Sequence, residues 1–432
     1  MKILAQRIVT NPNYLRALEW GKLVTITGSA QILIQAVGLI SGILVIRLLS
    51  TREYALFTLA NTMLGTMSVL ADGGISAGVM AQGGKYWQSP TKLGEVLVTG
   101  FDLRKRFAVV SLLFAIPVLI YLLRHHQASW LMAVLIVLCL LPAFIMGLSG
   151  TLLEIAPKLH QDIILLQKNQ IVTNLARLSL SLSLFLFPWA FMAVLAAGIP
   201  QIWANKNLRR ISEGYADWKQ ESSPFIRREI ITFVKRILPG SIYYCLSGQI
   251  TIWLISLFGS TIALAQIGAL GRLAMMLSLF SVLINTLIVP RFARLSSQAN
   301  VLLRRYLQIQ IGLFLLSAII ITGVWLFPIQ VLWLLGQEYS NLKTELILSI
   351  INACLGLIGG VSFSLCTCRG WVINPIISIP ITIFSLILGI YLLDISTLRG
   401  VLVLNIFVSV IELSAYLIHN IFKITKSEPL YS

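Results

Sequence analysis

Charge is what this chain most lacks. Only 11% of its 432 residues are Asp, Glu, Lys or Arg, where a soluble globular domain carries roughly 25%. Acidic residues are the scarcest, 16 against 33 basic ones. With 57% apolar residues and a mean hydropathy of +0.87, folding around one water-soluble core would leave most of the surface apolar. That excludes an ordinary soluble domain and makes lipid the simpler solvent. Cysteine is sparse as well. Cys139, Cys245, Cys354, Cys366 and Cys368 all lie inside apolar runs, and Cys366-Thr-Cys368 is not a C-x-x-C spacing, so they read as small apolar residues rather than metal or redox sites. Long polar loops are missing between the runs, apart from one central segment. The absence of long loops on the far side argues against a membrane enzyme such as a glycan polymerase or ligase, which would carry catalytic residues there.

The net charge of +17 raises the question of nucleic acid, because basic chains bind phosphate backbones. Its distribution answers no, since Lys and Arg sit in short clusters between apolar runs, as in a polytopic membrane protein. The first apolar run begins near Leu23 without a small-residue cleavage signal, and reads as a retained helix.

A membrane span needs about 20 mainly apolar residues. Runs that qualify lie near 24–46, 54–81, 107–123, 128–153, 233–258, 261–290, 306–335, 345–367, 372–393 and 398–422. The stretch 170–204 is too long for one crossing and splits at Phe187-Pro188 into two, which gives twelve transmembrane helices. From a cytoplasmic start, 26 of the 33 basic residues fall in cytoplasmic segments, Arg104 and Lys105 among them. The outer segments hold only Arg47, Arg52, Arg124, Lys343 and Arg399, together with His125 and His126, which are expected to be exposed. This bias predicts cytoplasmic N- and C-termini. The central basic linker, 205–232, divides the chain into an N-terminal six-helix lobe (1–204) and a C-terminal one (233–432) of the same orientation, so a repeat would be parallel.

Such a repeat is visible. In the first helix Gly28, Gln31, Gln35, Gly38 and Gly42 recur at steps of three and four, on one helix face. Adding 213 gives Ser241, Tyr244, Gly248, Thr251 and Ile255. The second helix has Asn61, Gly65, Ser68, Asp72 and Ser76 on one face, and the same offset reaches Ala274, Ser278, Ser281, Asn285 and Val289. Close helix packing would explain any one of these positions. Four polar faces together, with Gln249 near by, point to a cavity between the halves, as in parallel-repeat transporters.

Several stretches bear a resemblance. Arg47-Leu-Leu-Ser-Thr-Arg-Glu-Tyr-Ala-Leu-Phe57, Leu70-Ala-Asp-Gly-Gly-Ile-Ser76, Leu238-Pro-Gly-Ser241, Leu246-Ser-Gly-Gln249, Pro290-Arg-Phe-Ala-Arg294 and Leu335-Gly-Gln-Glu-Tyr339 follow one another along nearly the whole chain. Together they resemble the polysaccharide transporter (Wzx-like) branch of the multidrug/oligosaccharidyl-lipid/polysaccharide (MOP) flippase superfamily. The resemblance implies an all-α, MATE-like fold of two six-helix lobes in the bacterial cytoplasmic membrane, working by alternating access. Its implied cargo is a lipid-linked oligosaccharide on polyprenyl pyrophosphate, flipped to the outer leaflet for O-antigen or capsule export. No cofactor is implied beyond H⁺ or Na⁺ as a coupling ion, and the expected partners are membrane lipids and other polysaccharide-assembly proteins.

Charges within spans are costly and default to function. Arg272, deep in the eighth helix, is the first candidate for an anionic head, because guanidinium stays charged and bonds phosphate in pairs. A structural ion pair is its alternative. Arg177 is a second candidate to line the cavity, with snorkelling to the cytoplasmic end, which is within its reach, as the alternative. Asp72 and Glu412, at similar depths, are candidates to pair with Arg177 or to take up the coupling ion. Arg47 is an interfacial anchor or a gate between lobes. Two other functions stay open: a multidrug exporter of the same fold, which would favour an acidic cavity, and a scramblase without ion coupling.

Overall fold

The computed structural model describes residues 12–289, 292, 295, 298–367, 369, 371, 375–395 and 397–426. Among them every regular element is helical. The first half comprises α1 (Pro12–Leu48), α2 (Thr51–Asp72), α3 (Ile75–Tyr86), α4 (Pro90–His125), α5 (Trp130–Leu153), α6 (Ile155–Leu159), α7 (Ile163–Ser181) and α8 (Ala190–Glu213). The second comprises α9 (Pro224–Phe258), α10 (Thr261–Ala274), α11 (Ser278–Leu287), α12 (Ala299–Leu326), α13 (Pro328–Trp333), α14 (Lys343–Thr367), α15 (Pro375–Leu392) and α16 (Leu398–Thr425). Among the described residues eight helices are long and apolar enough by themselves to cross a membrane. Counting α10 and α11 as one rod, the long helices number twelve among the described residues, six in each half.

Local chemistry sets the boundaries. Ser50 caps α2, its Oγ accepting from the Glu53 N–H at 3.3 Å. Gly73 and Gly74 follow at φ 50° and 93°, a left-handed pair that ends α2 and turns the chain into α3. The expected single run 54–81 is therefore two helices. The split expected at Phe187-Pro188 is present: α7 gives way to a 3₁₀ turn at Leu182–Phe185, and α8 starts at Ala190. The eighth rod is interrupted by a 3₁₀ turn at Met275–Leu277. The central linker is more helical than its polarity predicts, with only 214–223 outside α8 and α9. Likewise α4 starts at Pro90, well before the apolar run at 107, because the basic turns 90–106 continue the same helix.

Within the first half α5 packs on α8, α2 on α4 and α1 on α7; in the second, α14 packs on α16 and α15 on α16. The halves meet mainly through α2 against α9 and α10. At the end that carries the α1–α2 turn, one apolar cluster runs through both, including Leu49, Tyr54, Ile255, Leu264, Leu335 and Tyr339. At the opposite end the cores are separate. One is built on Ile75, Leu93 and Leu152 with the start of α9 (Ile230), the other on Phe292, Tyr306 and Leu357. The molecule is thus sealed at the α1–α2-turn end.

Candidate functional site

Below that seal lies a cavity of about 380 Å³ between α1, α2, α7, α8 and the α10–α11 rod. Gln35, Asn61, Arg177 and Arg272 all line it, so four of the sequence candidates from four helices converge. Arg272 belongs to the second half, yet its side chain reaches into the first. Its stem packs on α1 at Gly42, where a Cβ would lie 3.4 Å from the arginine Cδ, ordinary van der Waals contact. The guanidinium carbon stands 6.0 Å from the Phe57 ring centre. The buried Tyr54 directs its hydroxyl to the same group. Arg177 donates weakly to the Ala197 carbonyl at 3.4 Å, and its buried Nε has no hydrogen-bond partner. Two guanidinium groups therefore share one cavity, and no carboxylate is among the described residues that line it.

The remaining lining is mixed. Asn174 and Ser181 stand three before and four after Arg177 on α7, a spacing that could have flagged them in the sequence. The Ser41 and Ser181 hydroxyls lie 3.1 Å apart across α1 and α7. Ile32, Met275, Met276 and Leu279 supply an apolar side. An amphiphile with an anionic group matches this combination.

Other candidates lie elsewhere. Gln31 is half-buried on α1 but does not line the cavity. Ser68 gives its hydroxyl to the Leu64 carbonyl at 2.7 Å. Gln249 packs toward Gly65, with Nε2 3.8 Å from where a Cβ would sit. Asn285 is exposed and donates to the Ser281 carbonyl at 2.8 Å. Tyr244, with Ser241, Gly248 and Thr251 of the repeat, lies outside the described side chains.

The acidic candidates have other partners than expected. Asp72 forms an ion pair with Arg104, not Arg177. Its Oδ1 also accepts from the Ser76 hydroxyl at 2.6 Å and the Ser76 N–H at 3.2 Å, capping α3. Arg104, counted in the sequence among the basic residues of the cytoplasmic segments, is only 3% exposed and also donates to Thr151 Oγ1 at 2.6 Å. The correction has a simple cause: the α2–α3 break turns the Asp72 carboxylate toward α4. Glu412 hydrogen-bonds Thr382 on α15 and stays outside the cavity.

The seal has its own polar contacts. Arg47 donates through Nε to the Leu334 carbonyl at 2.9 Å, and through Nη2 to that of Trp333. Its guanidinium carbon lies 4.7 Å from the Trp333 ring centre. Thr51 donates to the Glu338 carboxylate. His126, expected to be exposed, is 2% exposed. It bridges the halves, with Nε2 3.0 Å from the Ser256 carbonyl and Nδ1 3.0 Å from Thr261 Oγ1. The α9–α10 turn folds over the end of α4 and removes that histidine from solvent.

Comparison with solved structures now places the architecture. The chain superposes on an inward-facing multidrug resistance MATE family transporter of the MOP superfamily with a TM-score of 0.66. The identity is 14%, over 92% of this chain and 96% of the other. The fold is that of the MATE transporters. An outward-facing structure of a MATE multidrug resistance transporter gives a TM-score of 0.65 at 15% identity, covering 93% of this chain and 94% of that one. The Vibrio cholerae MATE transporter VcmN gives 0.63 at 17%, covering 95% and 97%. Those chains have twelve helices in two lobes, the arrangement expected from the sequence. No protein-family model and no curated protein matches the chain. At these identities the likeness reaches the fold, and it does not single out the polysaccharide branch.

Proposed function

We propose that this chain is a multi-pass membrane transporter that carries an anionic amphiphile by alternating access. The observation behind this reading is the placement of Arg177 and Arg272, one from each half, in one cavity whose described lining has no carboxylate. A cation about 6 Å from either guanidinium would meet roughly 3 kcal/mol of repulsion at an effective dielectric of about 20. A phosphate would gain by a similar amount, and guanidinium binds it in two-point fashion. A lipid-linked oligosaccharide on a pyrophosphate head is the substrate class that fits both the charge and the apolar side. The basic bias of the loops supports cytoplasmic termini in a bacterial inner membrane. Rocking of the halves that parts α10 from α2 would open the sealed end. With Asp72 held by Arg104, Glu412 is the better placed of the two acidic candidates for coupling to H⁺ or Na⁺.

Drug export is the second reading, and the solved structures favour it, because two of the similar chains described above are multidrug resistance transporters. Purified protein in liposomes separates the two. One set of vesicles holds a polyprenyl-pyrophosphate oligosaccharide and the other a fluorescent organic cation, each with and without a proton or sodium gradient. The anionic reading expects flipping of the lipid-linked glycan, lost in Arg272→Ala and partly kept in Arg272→Lys. Movement of the cation alone, or full flipping by Arg272→Ala at normal protein level, overturns it.

A further inference from the structure

A second concavity lies in the other half, beside the α10–α11 rod. It is an apolar groove of about 740 Å³ between α11 and α12, and it shares no lining residue with the arginine cavity. Phe280 and Leu283 form one wall, and Leu313 and Leu316 the other. Gly312 lies next to them on α12, and a Cβ placed on it meets nothing within 4 Å, so the groove is open along the helix there. Arg305 and Gln308 close one end, joined by a hydrogen bond of 3.0 Å from Nη1 to Oε1, and both are exposed.

The polarity changes along the groove in one direction. Arg305 is six residues from the start of α12 at Ala299, about 9 Å along the axis. Leu316 is eleven residues further, about 16 Å. One leaflet's hydrocarbon is about 15 Å deep, half of a core of about 30 Å. The charged end therefore falls at headgroup depth when the apolar end reaches the midplane. The groove thus pairs an apolar length of about one leaflet with a cation at its mouth.

We infer that this groove binds one acyl chain of an anionic phospholipid, with the lipid phosphate on Arg305. Basic pockets between helices take lipid headgroups by the same charge-assisted bonds. The inference is independent of the transported substrate, because it uses none of the residues of the arginine cavity.

The test uses the full chain, purified in detergent and stripped of lipid, with thermal stability followed as phosphatidylglycerol or phosphatidylcholine of the same acyl chains is added. Phosphatidylglycerol is expected to raise the melting temperature saturably, with a half-saturating concentration at least tenfold below that of phosphatidylcholine. Arg305→Ala and Arg305→Glu, which leave the packing untouched, should erase that preference, while Arg304→Ala keeps it. Gly312→Trp should fill the groove and remove the saturable response. Glycerol phosphate without chains should give no shift. Equal responses to the two lipids, a preference retained in Arg305→Glu, or a full shift from glycerol phosphate would each overturn the assignment.

Discussion

Gly268→Ala tests the mechanical basis of the seal. Gly268 lies on α10 where that helix crosses α2, and a Cβ there would stand 2.7 Å from Thr58 Cγ2 and closer still to its Oγ1. Non-bonded carbon atoms settle at about 3.5–4.0 Å, so the two helices must part by about 1 Å. Thr58 cannot easily give way, because it is 7% exposed and β-branched, with a stiff χ1. Overpacking of this kind costs typically about 1–3 kcal/mol. The cost falls on the sealed arrangement alone, since opening separates the helices. The equilibrium should therefore move toward the open form by about 5- to 150-fold. Hydrogen–deuterium exchange of the α13–α14 connection, which the seal covers, reads that shift as faster exchange of the amides between Leu335 and Leu342. Thr58→Ala removes both offending atoms and leaves its Cβ at 3.1 Å, so the double variant should recover most of the protection. Wild-type exchange in Gly268→Ala, or no recovery in the double variant, would refute the reasoning.

Further expectations follow from the polar contacts. Arg104→Met leaves the Asp72 carboxylate without its cation and should cost about 3 kcal/mol or more in stability, visible as a large fall in melting temperature. Asp72→Asn should cost less, because the amide oxygen can still accept from the Ser76 N–H. Arg47→Ala removes two carbonyl contacts to the end of α13; as Arg47 is exposed, about 1 kcal/mol of sealing is expected to go, read as faster labelling of a cysteine introduced at Leu335. Burial holds the His126 imidazole below its ordinary value, helped by the neighbouring His125 and partly offset by the Ser256 carbonyl bond. The unfolded chain then binds more protons than the native one as pH falls through about 6.5, so native stability should drop between about pH 7 and 5. His126→Gln should flatten that part of the melting-temperature profile, and an unchanged slope would assign it to other groups.

Much of the architecture is legible in the sequence, because the features that specify it are local. A run of about 20 apolar residues is long enough to cross a bilayer whatever its neighbours are. The Phe187-Pro188 break and the alternation of basic clusters likewise need no tertiary information. The small and polar faces of α1 and α2 are helix-periodic, and two of their members, Gln35 and Asn61, do line the cavity. What the sequence could not place is which charges meet. Asp72 and Arg104 are 32 residues apart, and the residues that clasp across the seal, Arg47 and Trp333, are 286 apart. Depth within a span pointed Arg272 to the cavity and left Arg177 open between the cavity and the cytoplasmic end; both line the cavity. The burial of Arg104 went unforeseen, because α4 begins well before its apolar run and carries that arginine inside the bundle. So did the burial of His126, which depends on a turn from the other half. Helix number and polar stripes were thus set by the solvent each residue requires, a property of the chain itself. The pairing of Asp72, the sharing of one cavity by Arg177 and Arg272, and the position of the seal were decided only when the two halves packed together. A charge inside a membrane protein takes its partner from whichever helix the fold brings within reach.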